Sequence, residues 1–106
     1  MTTLEKVKRL EKYIAADVAA FDPVLDITIE KLLKRESARV GDIQQRLMKQ
    51  LEEFEDRYGL KTTEFRDRYD KGLMGDEVDF VEWSATIDML ANIQKSLDLL
   101  QEGSLA

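Results

Sequence analysis

The chain has 106 residues, 36% of them charged and 43% hydrophobic, with a net charge of −6, no cysteine and no histidine. The length fits a single domain, and the missing cysteine excludes disulfides, thiolate nucleophiles and zinc–thiolate sites. The missing histidine removes the commonest general base and the commonest metal ligand, which weakens hydrolase and metalloenzyme readings together.

One proline and five glycines in so charged a chain suit long helices better than strands, so the fold class is all-α: a helical hairpin or bundle of four helices. From Thr3 to Phe21, Leu4, Val7, Leu10, Ile14, Val18 and Phe21 recur at steps of three and four, predicting an amphipathic helix over about 3–21 with Thr3 as N-cap. Asp22-Pro23 then ends that helix and opens the next, Asp22 capping and Pro23 taking the first helical position.

The second helix is expected over 23–58, about 54 Å at 1.5 Å per residue. Its stripe of Ile29, Leu32, Glu36, Val40, Ile43, Leu47, Leu51, Phe54 and Tyr58 follows an eleven-residue period, which keeps it nearly straight. Gly41 inside it is read as a close packing contact. So long a stripe predicts a homo-oligomer, with self-association through Val40, Ile43 and Leu47.

Gly59 followed by Leu60 reads as a left-handed C-cap. Thr62 or Thr63 is expected to cap a short third helix over 63–71 that carries Phe65 and Tyr69 and ends at Gly72. After a turn closed by Gly75, Asp76 is placed to cap a fourth helix over 77–101. Its broad apolar face includes Phe80, Trp83, Ile87, Leu90, Ile93 and Leu97, and residues 103–106 are expected to fray. Six of the eight aromatics fall between Leu51 and Trp83, which makes that stretch the predicted core, with Trp83 read as core and an interface anchor as the alternative.

Charge is segregated. Residues 1–53 hold ten Lys/Arg and ten Asp/Glu, whereas residues 54–106 hold six against twelve and so carry the whole −6. From Asp76 to Glu102 seven carboxylates face only Lys95. Such a surface suits either solubility or a basic protein partner, with Glu82, Asp88 and Asp98 as exposed contact candidates. Nucleic acid is disfavoured, because Lys31, Lys34, Arg35, Arg39, Arg46 and Lys49 are interleaved with acids and that half is neutral.

No cofactor or metal is expected. The Asp76–Glu82 carboxylates lack EF-hand spacing, and no phosphate loop or activated serine is present. Nothing reads as a signal peptide or a membrane span, so a cytoplasmic, non-enzymatic protein without membrane contact is the expectation.

The run Asp22-Pro23-Val24-Leu25-Asp26, the segment Thr28 to Glu36, and Phe54-Glu55 with Arg57-Tyr58 begin a recognisable pattern. Glu64-Phe65, Tyr69, Gly72, Gly75-Asp76 and Asp79-Phe80-Val81-Glu82-Trp83 complete it. Together they resemble the signature of small prokaryotic antitoxin-like proteins encoded beside TumE-family toxins. The resemblance covers about residues 22–90 and implies an antitoxin that masks a basic toxin with its acidic C-terminal half. A self-assembling structural helical or coiled-coil protein without a toxin is the alternative. The chain shows neither the basic ribbon nor the helix-turn-helix with which many antitoxins bind operators.

Overall fold

The computed structural model describes residues 1–16 and 22–102, and among these it contains four helices and no strand. They are α1 (Thr3–Ala15), α2 (Pro23–Tyr58), α3 (Thr62–Asp70) and α4 (Val78–Gln101). The all-α expectation therefore holds, with the long second, short third and long fourth helices in their expected order. The chain divides into two compact units, Met1–Leu32 and Leu33–Ala106.

In the first unit, α1 is capped by Thr2 instead of Thr3. The Thr2 hydroxyl accepts from the Glu5 N–H at 3.1 Å, and the Glu5 carboxylate accepts from the Thr2 N–H at 3.2 Å. The reason is spacing: only Thr2 has a glutamate three residues on, which a capping box requires. The helix is described to Ala15; the rest of its expected span, with Val18 and Phe21, lies outside the described residues, as does the tail from 103 to 106. Asp22 caps α2 as expected, its carboxylate accepting the Val24 N–H at 2.9 Å.

In the second unit, α2 and α4 pack together as the arms of a hairpin, with α3 between them. Three contacts fix the pairing: Tyr58 against Phe80, Phe54 against Trp83, and Gln44 hydrogen-bonded to Gln94. Positions on α2 fall as their counterparts on α4 rise, so the arms are antiparallel. The turn between them is built from glycines with positive φ, Gly59 at 61°, Gly72 at 74° and Gly75 at 79°. At Gly59 the N–H groups of Gly59 and Leu60 both reach the Glu55 carbonyl, and Leu60 folds back onto the core.

That core is Phe54, Phe65, Phe80 and Trp83, flanked by Leu51, Tyr58, Leu60, Tyr69, Met74 and Ile87. Trp83 is fully buried, which makes it core and not an interface anchor. Its indole N–H, which would be costly to bury unpaired, donates to the Thr62 hydroxyl at 3.2 Å.

Several local expectations are corrected here. Thr62 does not cap α3, because its hydroxyl serves Trp83; the cap comes from α2, where the Glu55 carboxylate accepts the Thr62 N–H at 2.7 Å. Nor does Asp76 cap α4. The helix starts at Val78 with Glu77 at the cap position and no side-chain cap bond, leaving Asp76 one residue too early. Gly41 is no close contact either, since a Cβ built on it would meet nothing within 4 Å.

The expected self-association stripe is also corrected. Val40 and Leu47 are 6% and 5% exposed within the single chain, and Ile43 is half-buried. The antiparallel register carries α4 past them and sets Leu97, itself buried, level with Val40. Half-buried Glu36, the charged member of the stripe, is accommodated by pairing with Arg39 at 2.9 Å.

Candidate binding surface

The first turn of α4 is tied to the last turn of α2 by a polar clamp. Asp79 Oδ2 accepts from the Tyr58 hydroxyl at 2.5 Å and from Arg57 Nη1 at 2.8 Å. The Tyr58 hydrogen bond, then that of Arg57, holds the Asp79 carboxyl below its ordinary range, while the bond to Asp79 holds the Tyr58 hydroxyl above its own. Asp79, at the helix N-terminus and half-buried, is thus a structural carboxylate already satisfied by its own chain.

The three carboxylates read from the sequence as partner contacts, Glu82, Asp88 and Asp98, are all exposed. They do not form one face. At 3.6 residues per turn Asp88 lies about 120° around the helix from Glu82, and Asp98 about 160° from it. Asp88 is moreover engaged: Arg66 on α3 donates to it at 3.1 Å while also reaching the Ser84 hydroxyl and Asp70. Asp98 accepts a long bond, 3.5 Å, from Gln94 near the far end of α4.

Glu82 has different company. It lines a groove of about 480 Å³ between α2 and α4, whose floor includes Phe54, Ala85, Thr86 and Met89. Gln50, Glu53 and Arg57 supply the α2 side. Arg57 closes it by leaning over the Phe54 ring, 5.7 Å from its centroid, while bonded to Asp79. Glu53 and Glu82 have no ion-pair partner among the described residues, and Met89 is 51% exposed.

One unpaired carboxylate from each helix beside the exposed Ala85 and Met89 can receive a long basic side chain. Its methylenes would lie against Ala85 and Met89 while its charged head reaches the carboxylates. Sequence reasoning passed over Glu53 because it belongs to the charge-balanced half of the chain. Only the antiparallel register brings it to the same groove as Glu82.

Phe65, Tyr69 and Phe80 lie in or against the aromatic core, and Gly72 and Gly75 supply its turn, as expected. Of the basic residues along α2, Arg39 is paired with Glu36, and Lys34 also has a partner. No described helix is long and apolar enough to cross a membrane. No protein-family model, curated protein or solved structure matches the chain.

Proposed function

We infer that the protein is a non-catalytic binding module that takes a basic protein partner into the α2–α4 groove, in the manner of a cytoplasmic antitoxin masking a toxin. The single observation behind this reading is the pair of unpartnered carboxylates, Glu53 and Glu82, set on a groove along which Ala85 and Met89 are exposed. The acidity of residues 54–106 supports it by favouring encounter with a cation, and the likeness to TumE-associated antitoxins supplies the kind of partner.

The test is co-expression of the tagged chain with the product of its chromosomal neighbour, beside a Glu53→Lys/Glu82→Lys variant. The expected result is co-purification and growth protection by the native chain, both lost in the variant while its thermal midpoint is kept. If no neighbour co-purifies and the double reversal changes neither interaction nor growth, the reading falls and a self-assembling structural module takes its place.

A further inference from the structure

α4 is apolar on two sides. One side packs Phe80 and Trp83 into the core. At roughly 100° per residue, Val78, Val81, Ala85, Met89, Asn92 and Leu99 fall within about 80° of one another on the side turned away from that core, and no charged residue shares the sector. Val78, Val81, Met89 and Leu99 are between 49% and 72% exposed, and Ala85 and Asn92 are exposed as well. Ordinary amphipathicity puts charge on the side that faces water. A helix that is apolar on both sides is suited to being covered on both.

Charge sits at the edges of this sector, and the two edges differ. On the edge beside α3, Asp88 is paired with Arg66. On the edge beside α2 lies Glu82, with Glu53 across the groove, and neither carboxylate has an ion-pair partner among the described residues. The contacts of Phe54 with Trp83 and of Gln44 with Gln94 set Glu53 level with Ser84 or Ala85. The two carboxylates therefore stand less than one helical turn apart along the axis, within reach of two basic side chains one turn apart on a facing helix.

Building on the partner-binding reading above, we propose that the outward face of α4 receives an amphipathic helix of the basic partner. That helix lies along the sector of about three turns from Val78 to Met89 and carries two Lys or Arg residues, three or four positions apart, on the flank that meets Glu82 and Glu53. Ala85, the smallest side chain of the sector, allows close approach at its centre. Charge identifies the occupant. A second copy using the same face would bring the acidic edges of two chains together, and an anionic lipid surface would meet the same carboxylates. A cationic helix gains its apolar contact and its ion pairs at once.

Titration of the full-length chain with two synthetic peptides tests this. Both have about sixteen residues, too few for a stable helix alone, and the same composition of leucine, alanine and lysine. One places its leucines in a single helical stripe with lysines on one flank, and the other scatters them around the helix. The striped peptide is expected to bind at least about tenfold more tightly and to gain helical ellipticity as it does. Val81→Gln with Met89→Gln is expected to weaken the striped peptide at least about tenfold, through lost apolar contact, and to leave the scattered one unchanged. Glu53→Lys with Glu82→Lys should weaken both. All four positions are exposed, so every variant should keep the near-ultraviolet signal of Trp83.

Equal affinity for the two peptides, binding of the striped peptide without a gain in helicity, or Val81→Gln with Met89→Gln that binds it as tightly as the native chain, overturns the proposal. The partner-binding reading survives each of these results if the co-expressed neighbour still depends on Glu53 and Glu82. A native chain that binds neither peptide overturns the proposal too, and co-expression then decides the partner-binding reading separately. A native dimer that Val81→Gln with Met89→Gln disperses overturns it in favour of a second copy.

Discussion

The Phe65 and Trp83 rings lie face to face, their centroids 4.0 Å apart and their planes within 2° of parallel. Phe54 stacks on Trp83 as well, at 5.4 Å, so the indole is held between α2 and α3. Both Phe65 and Trp83 are fully buried. Trp83→Ala should therefore remove the piece that joins three helices, at about 3–5 kcal/mol. Chemical denaturation measures it, and an unchanged midpoint would mean that the indole is not the keystone of this core.

The Tyr58–Asp79 bond predicts the shape of the pH–stability curve. Asp79 is held below its usual value of 3.8, chiefly by Tyr58 and then by Arg57, so it contributes stability above 3.8 that is lost as pH falls through its lower folded value. Tyr58 is held above its usual 10.0, chiefly by the bond to Asp79, so its contribution is complete below 10.0 and is lost as pH rises through its higher folded value. Between those limits the clamp is intact. Asp79→Asn should lower stability on the plateau and flatten both limbs relative to the native chain; parallel native and variant curves would contradict this.

Helix periodicity and glycine placement carried most of the architecture, because burying a stripe and closing a turn are local demands that a sequence must meet locally. The Asp22 cap, the Gly59 C-cap and the aromatic core could all be read that way. Thr2 was legible too, through Glu5, but Thr3 stood nearer the apolar run. What could not be read depends on register. Thr62 gives its hydroxyl to Trp83, Glu55 caps a helix other than its own, and Glu53 reaches the same groove as Glu82 only because α2 and α4 run antiparallel in one alignment. The same ignorance of register made Val40 and Leu47 look uncovered when Leu97's helix lies over them.

The caps give a paired prediction. Asp76→Ala, exposed and outside the helix it was expected to cap, should change stability by no more than about 0.5 kcal/mol. Glu55→Ala removes the carboxylate that accepts the Thr62 N–H and should cost about 1 kcal/mol. Thermal melts of the two variants side by side decide the matter, and the reverse order would restore Asp76 as the cap.

Glycine substitutions should act in opposite directions at two sites. Gly41 lies mid-helix with open space where a Cβ would go, so Gly41→Ala should stabilise by up to about 1 kcal/mol through helix propensity alone. At Gly59, φ is 61°, where an L side chain is strained, and Gly59→Ala should cost about 1–2 kcal/mol although space is equally open there. A loss of stability in Gly41→Ala would indicate a helix contact that the single chain does not show.

Partner binding through the groove makes a kinetic prediction. Carboxylates on an acidic surface draw a cationic protein from beyond contact range, so association should slow as salt rises, while contacts with Ala85 and Met89 leave dissociation nearly constant. Affinity should fall moderately and not vanish. Glu53→Lys with Glu82→Lys should weaken binding by roughly tenfold or more, mostly through the association rate, because both side chains are exposed and hold no structural pair. Asp88 is a poorer probe, since reversing it would set a lysine against Arg66 and loosen α3 from α4. Asp98→Lys, far along α4 and on another side, should have the smaller effect. Surface plasmon resonance over a salt series reads all three. A nucleic-acid ligand would invert the pattern: the groove reversals would strengthen binding, and neutralising Lys34, Arg35 and Arg39 would abolish it.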